Sequence, residues 1–341
     1  GYQILMPKVW NKKLVMWAHG YQFAGTDPQS GNADLNKRME LFLERGFAIA
    51  ASDYPIQGFA LAQGVDATEE LRIKFIEKYG KPDSTFMVGG SMGGGVTVAM
   101  IENYSQNYYG GLALCPLSSK VYLQFKKEFD IYATFNGLFP GIVPSLKEIF
   151  DVHNHFKPIG FAEAGSKMME IRKAILAKDS VLALAFAKRF DLKLDDLPGS
   201  LFFNQHVLRD LALKTNGNPI DNTQTMYTGF PDDILVNTVA ERLPANVSFQ
   251  KVFGKYERSG DINKPVLILH TKYDQLIPPS YAVTNFENMV HSKGKDKFLA
   301  VKYTDGQGHC AFTPEQTIIA FDALRHWVST NQKPSAIEYI K

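Results

Sequence analysis

The fold depends on the segment Phe86-Met87-Val88-Gly89-Gly90-Ser91-Met92-Gly93-Gly94-Gly95, an apolar run that ends on a serine between glycines. Around Ser91 this segment fits the G-x-S-x-G pattern, in which a strand turns sharply into a helix and the serine adopts a strained backbone conformation. Residues 84–88 predict a short buried strand and residues 96–104 a helix, as the pattern requires. The segment therefore predicts a serine nucleophile at a helix N-terminus. The alternative is a glycine-rich turn that only packs a helix on a sheet.

The flanking parts of the chain alternate between strand and helix patterns. Strands are predicted at residues 2–6, 14–18, 47–53, 110–115, 264–270 and 297–303, and helices at 33–45, 68–79, 280–291 and 314–328. This alternation predicts an α/β protein with a mostly parallel sheet, right-handed crossovers and flanking helices. Catalytic groups in such a protein belong at the carboxyl ends of the strands.

The alternation stops in the middle of the chain. Residues 118–254 are rich in helical patterns and in phenylalanine. We therefore expect a core formed by residues 1–117 and 255–341, interrupted by a mainly helical cap or lid. An apolar inner face of this cap would bind an apolar or aromatic substrate. The alternative for the individual aromatic residues is that they form the core of the cap itself.

Composition excludes several classes of partner. The 341-residue chain has a formal net charge of +2, which gives no reason to expect nucleic acid or an anionic membrane as a partner. No apolar run reaches the roughly 18 residues of a membrane span. His153, His155 and His206 have no carboxylate or cysteine at ligand spacing, so we expect no metal, and no motif indicates an organic cofactor. The oligomeric state is not predicted.

An aspartate and a histidine later in the chain are predicted to form a catalytic triad with Ser91. Asp274 follows the penultimate predicted strand and His309 follows the last, so the chain order is Ser91, Asp274, His309, as in an α/β-hydrolase triad. A histidine takes the proton of the weakly nucleophilic serine, and a carboxylate orients the imidazole and stabilises its charged form. Asp53 and Asp305 are rival acids, but neither follows the penultimate strand.

Two backbone N–H groups are predicted to form an oxyanion hole. One belongs to Met92, directly after the nucleophile, and the other to Tyr21 or Gln22, in the loop after the strand at 14–18. The strand ends in His19-Gly20, and the alternative is an ordinary turn between a strand and a loop.

Together these motifs resemble the α/β-hydrolase superfamily over nearly the whole chain. The matching pieces are His19-Gly20, the Ser91 turn, the strand end at Asp274 with Pro278 beyond it, and Gly308-His309. The resemblance implies a capped serine hydrolase that works through an acyl-enzyme without a cofactor. We expect a carboxylesterase acting on a small-molecule or polymer-derived ester with an apolar or aromatic part. An amidase or peptidase, an acyltransferase and a non-catalytic binding protein on this fold are the alternatives.

The pair His309-Cys310 is similar to the secreted esterases that include tannases and feruloyl esterases. Those enzymes often carry a cysteine beside the nucleophile, bonded to the cysteine after the histidine, whereas this chain has Gly90 before its serine. Cys115 is the other cysteine of the chain, so the two cysteines form either a disulfide or two buried thiols. A disulfide favours an exported protein, and we therefore expect a secreted or periplasmic location.

Overall fold

A seven-stranded sheet carries the Ser91 segment. In the computed structural model, which describes residues 1–24, 33–335 and 340, the strands are β1 (Tyr2–Leu5), β2 (Lys13–Ala18), β3 (Ala48–Ser52), β4 (Ser84–Gly90), β5 (Gly110–Leu114), β6 (Val266–Tyr273) and β7 (Leu299–Gln307). Their order is β1-β3-β2-β4-β5-β6-β7, and only the β1–β3 pair is antiparallel. The mostly parallel sheet predicted from the alternation is confirmed.

Helices follow most of the strands. They are α1 (Ala33–Glu44), α2 (Leu61–Tyr79), α3 (Met92–Asn103), α4 (Val121–Leu138), α5 (Leu146–Phe150), α6 (Ala164–Arg189), α7 (Leu197–Thr215), α8 (Asp233–Val239), α9 (Phe249–Phe253), α10 (Pro279–Ser292) and α11 (Pro314–Thr330). None of the helices in the described part of the chain combines the length and apolar character that a bilayer-spanning segment requires.

The chain divides into two compact units, one of residues Gly1–Val121 with Tyr256–Lys341 and one of residues Tyr122–Lys255. In the first unit, an aromatic cluster joins α1 and α11 to the sheet. The ring of Phe321 in α11 lies edge-on to Phe42 in α1 at 4.8 Å, to Phe47 at 5.3 Å and to Phe86 in β4 at 5.4 Å. Edge-to-face pairs of this kind add to the hydrophobic burial that fixes a helix on a sheet. This packing supports β4, the strand that ends at the serine.

Two element boundaries differ from the predicted ones. Helix α2 begins at Leu61, seven residues before the predicted start at Thr68, and runs through Gly64. A Cβ atom at Gly64 would lie 2.8 Å from Cζ of Tyr54, so the glycine is there for close packing and does not end the helix. Strand β7 continues to Gln307, which pairs with Tyr273 after a bulge in β6, so the predicted loop before His309 is shorter than expected.

The second unit contains most of α4 and the helices α5 to α9. Its aromatic residues pack largely on one another: Phe135 and Phe139 are stacked at 5.1 Å, Phe186 lies edge-on to Phe135 at 5.6 Å, and all three are fully buried. These rings form the core of the unit, which agrees with the alternative prediction that the aromatic residues pack inside the cap itself. The function of this unit as a lid remains a prediction.

Candidate active site

Ser91 lies on a strained turn between β4 and α3. Its backbone dihedrals are φ 58° and ψ −123°, a conformation that residues with a side chain seldom adopt. The turn is held by backbone hydrogen bonds: the Ser91 N–H donates to the carbonyl of Leu114 at 2.9 Å, and the Ser91 carbonyl accepts from the N–H groups of Gly95 and Leu117. The predicted strand, turn and helix are therefore present, with the serine at the carboxyl end of β4.

The glycines after the serine allow the turn to lie against its neighbours. A Cβ atom at Gly93 would collide with the backbone carbonyl groups of Ala18 and His19 at the end of β2. A Cβ atom at Gly94 would lie 2.7 Å from Cα of Pro116, beyond the end of β5. Real Cβ atoms do not approach other atoms so closely, so the small residues at these positions are required by packing.

The structure brings the three predicted catalytic side chains into one hydrogen-bonded chain. Ser91 Oγ lies 2.8 Å from His309 Nε2, and His309 Nδ1 lies 2.8 Å from Asp274 Oδ2. Because an ionised carboxylate only accepts, Nδ1 carries the proton and Nε2 accepts from the serine hydroxyl. The rival acids take no part in this hydrogen-bond network. Asp53 Oδ2 lies 3.7 Å from the amino-terminal nitrogen of Gly1, and Asp305 is exposed in β7.

Asp274 is almost fully buried, yet its surroundings favour the ionised form. Its Oδ1 atom accepts from the N–H groups of Leu276 at 2.9 Å and Ile277 at 2.8 Å. Burial alone would raise the pKa of Asp274, but the electrostatic interaction and the hydrogen bond with His309, together with the N–H of Ile277, outweigh it and hold the pKa below its usual value. Burial lowers the pKa of His270, which favours the neutral form of that imidazole.

The loop that carries His309 is held by two polar side chains that the sequence patterns did not identify. The Gln275 Oε1 atom accepts from the His309 N–H at 2.9 Å. The Thr271 hydroxyl lies 3.1 Å from the carbonyl oxygen of Gly308. Neither residue belongs to the triad pattern. The only sequence feature that could have drawn attention to Gln275 is its position directly after Asp274.

The two cysteines form a disulfide that also fixes this loop. Cys115, directly after β5, is bonded to Cys310, directly after His309, with 5.4 Å between the Cα atoms. A Cβ atom at Gly90 would lie 3.8 Å from the Cys310 sulfur, so this disulfide lies beside the position where the similar secreted esterases carry a cysteine. Of the two states left open by the sequence, the structure contains the bonded one.

The residues predicted for the oxyanion hole belong to two segments next to Ser91. Met92 is the first residue of α3, so its N–H precedes the hydrogen bonds of the helix itself. A Cβ atom at Gly20 would lie 3.4 Å from the Ser91 Cβ, which places the loop after β2 beside the serine. Tyr21 and Gln22 follow Gly20 in this loop, and Gln22 forms an isolated antiparallel bridge with Gly58. Their function as donors remains a prediction.

Tyr54 contacts the loop after β2 through His19, and the sequence patterns did not identify it. Its ring is stacked on that of His19 at 3.8 Å, and its hydroxyl donates to the His19 carbonyl at 3.2 Å. The conformation of the loop therefore rests on side-chain packing as well as on Gly20.

Metal ligation does not fit the described residues around the serine. One group of potential ligands, Cys115, His309 and Cys310, has its ligand atoms within 4.8 Å of one another. The disulfide leaves no thiolate in that group, and thiolates rather than bonded sulfurs bind metals.

The sheet order, the strained serine turn and the Ser91–His309–Asp274 hydrogen bonds together define an α/β-hydrolase fold. Residues 2–128 match the Tannase-like family of unknown function (DUF6351). Over 98% of its length the chain is similar to o-phthalyl amidase of Xanthobacter agilis, with 22% identity and 86% of that protein covered.

Two solved structures are similar over most of the chain. The acylaminoacyl peptidase of Pyrococcus horikoshii shares 11% identity at a TM-score of 0.46, covering 98% of this chain but only 40% of the peptidase. The proline iminopeptidase of Mycobacterium smegmatis shares 14% identity at a TM-score of 0.48, covering 97% of this chain and 96% of that one. The fold and the sequence similarities indicate a hydrolase of the α/β-hydrolase type.

Proposed function

We propose that the protein is a serine hydrolase that cleaves carboxylic esters with an apolar or aromatic part. The observation that carries this proposal is the unbroken chain of two 2.8 Å hydrogen bonds from Ser91 through His309 to Asp274. A protein that only binds ligands needs no general base in hydrogen-bond contact with a half-buried serine on a strained turn, so this arrangement favours turnover over binding.

In the proposed reaction, Ser91 attacks the ester carbonyl while its proton moves to His309 Nε2. The carbonyl oxygen becomes an oxyanion, stabilised by the N–H of Met92 and by that of Tyr21 or Gln22. When the tetrahedral intermediate collapses, the imidazolium gives its proton to the leaving alcohol and the acyl group stays on the serine oxygen.

Water then releases the acid. His309 takes a proton from a water molecule as the water attacks the acyl-enzyme, and the second tetrahedral intermediate expels Ser91 Oγ, which regains its proton from Nε2. Asp274 stays ionised throughout and stabilises the imidazolium in both steps. The lowered pKa of Asp274, caused mainly by its interactions with His309 and also by the N–H of Ile277, suits it to this task.

The substrate class is proposed from the insertion. We propose that residues 122–255 act as a lid that offers apolar surface to a small-molecule or polymer-derived ester. The abundance of phenylalanine in this unit supports an apolar or aromatic preference, although its most buried rings serve its own core. The disulfide supports an exported location.

Amide hydrolysis is the second candidate, favoured by the similarity to o-phthalyl amidase along almost the whole chain. The same three side chains serve both reactions, because the imidazolium gives its proton to the leaving amine of an amide as it does to the leaving alcohol of an ester. A comparison of ester and amide substrates with one acyl group distinguishes them.

Hydrolysis of a matched panel tests the proposal. The panel contains p-nitrophenyl esters of increasing acyl length, aryl esters such as phenyl benzoate, and anilides of the same acids. Activity should fall on the order of 10⁴ to 10⁶-fold in Ser91→Ala and stay unchanged in Ser292→Ala, an exposed serine at the end of α10. Turnover of the anilides at rates comparable with the esters would favour the amidase. Inactivity on the whole panel, or full activity of Ser91→Ala, would contradict the proposal.

A further inference from the structure

A cavity lies at the opposite end of the strands from Ser91. Its lining includes Lys13 and Ser84, the first residues of β2 and β4, together with residues at the end of α1 and along α11. Since β4 has seven residues at about 3.3 Å each, this cavity is roughly 20 Å from the nucleophile. Its volume of about 640 Å³ lies within the range of sites for small molecules.

Positive charge dominates the polar lining of this cavity. Arg45 Nη2 lies 3.2 Å from one oxygen of Asp322, and Arg325 Nη1 lies 3.1 Å from the other. One carboxylate therefore serves two guanidinium groups. The Lys13 ammonium has no hydrogen-bond or ion-pair partner among the residues that the structure describes, so these four side chains carry two uncompensated positive charges.

The remaining walls are apolar and aromatic. Phe86 is buried in β4, and Tyr109, which is 49% exposed, lies 6.4 Å from it between ring centroids. Val328 of α11 adds an aliphatic surface. The guanidinium of Arg325 lies 5.0 Å from the ring centroid of Phe47, a contact that limits its motion.

We propose that this cavity binds small aromatic carboxylates. The Arg325 guanidinium, which uses only Nη1 on Asp322, and the Lys13 ammonium attract a carboxylate, and the rings of Phe86 and Tyr109 line the cavity where a planar aromatic ring would lie. An inorganic anion would leave the apolar wall unfilled, and a neutral aromatic compound would leave the two charges unpaired. The inference rests on this cavity alone and is independent of the catalytic function proposed for Ser91.

Calorimetric titration of the whole chain with benzoate tests the proposal. Ser91→Ala is titrated alongside, because benzoate that occupied the catalytic site would respond to that change and benzoate in this cavity would not. The Kd should rise about tenfold or more in Lys13→Gln and in Arg325→Gln. It should stay constant in Lys293→Gln, an exposed lysine after α10, and in Ser91→Ala.

Lys13→Gln leaves the Arg45–Asp322–Arg325 hydrogen bonds in place, so its result stands even if Arg325→Gln fails to fold. Benzamide and inorganic phosphate are the comparison ligands, and both should bind at least tenfold more weakly than benzoate. Three results would overturn the proposal: no benzoate binding, binding that ignores Lys13→Gln, or phosphate or benzamide binding as tightly as benzoate.

Discussion

His309 is the side chain whose position the proposed chemistry depends on most. It must face Ser91 with one ring nitrogen and Asp274 with the other, although it lies on a loop after the last strand of the sheet. Gln275 binds the backbone of His309 itself, and Thr271 lies against the carbonyl of the preceding residue. These two residues are positioning residues, since neither is expected to touch the substrate.

Gln275→Ala should lower kcat about fivefold and leave KM little changed. The substitution removes one neutral hydrogen bond, worth about 1 kcal/mol, from the backbone of His309, the proposed general base. The measurement is steady-state ester hydrolysis, with Gln106→Ala, an exposed glutamine, as the matched control. Equal kcat in both variants would show that the loop holds His309 without this contact.

Asp274→Asn should destabilise the protein at neutral pH, and the destabilisation should shrink as the solution is acidified. The pKa of Asp274 is lower in the folded protein, so its ionised form contributes stability above the unfolded pKa of about 3.9. That contribution is lost as pH falls through the folded pKa. Melting temperatures of both proteins from about pH 6 to about pH 2 measure the change, because the loss falls below the unfolded pKa. A difference that stayed constant or widened on acidification would contradict the ionised, stabilised carboxylate.

The turn from β4 into α3 is the element that fixes the serine. Gly93→Ala places a methyl group against two backbone carbonyls that cannot move without shifting β2, so we expect a loss of about 3 kcal/mol in stability. Gly165→Ala in α6 is the matched control, because no atom lies within 4 Å of the added methyl group, and it should change stability by less than about 1 kcal/mol. Thermal unfolding compares the two, and similar tolerance of both would contradict the packing described for the turn.

Strand and helix patterns predicted most of the first unit, because buried parallel strands are short continuous apolar runs. Boundaries were missed where tertiary contacts override local signals. Gly64 was expected outside a helix but packs on Tyr54 within α2, and β7 extends to Gln307 because β6 continues beside it. The contacts of Gln275 and Tyr54 depend on where their side chains lie in three dimensions, so they could not be predicted from residue spacing in the sequence.

The disulfide joins two residues of the first unit that are 195 positions apart in the sequence. Because cross-linking residues so far apart removes much of the entropy of the unfolded chain, Cys310→Ser should cost up to about 5 kcal/mol in stability. Cys115→Ser and the double variant should show the same loss, since each removes the same bond. Melting temperatures with and without reductant provide the measurement: reductant should affect only the protein with both cysteines. A double variant that lost clearly more than either single variant would contradict a shared bond.

For the whole molecule, chain order was the most informative signal about the candidate site. Serine, acid and histidine were predicted together from the strands that they follow, and the parallel sheet brings those strand ends to one edge. The second unit could not be predicted to the same depth. Its phenylalanines give a helical, apolar composition, but whether such a ring faces a core or a ligand depends on packing that composition does not encode.

The most direct test of the central claim is covalent labelling with a fluorophosphonate, followed by intact-mass and peptide mass spectrometry. Serine Oγ attacks phosphorus, fluoride leaves, and the proton passes to the general base. We predict one adduct per chain, located on the peptide that contains Ser91, and no detectable adduct over the same time in Ser91→Ala or His309→Ala. A protein that takes up no label, or that carries it on another serine, would contradict the assignment of Ser91 as a nucleophile activated by His309.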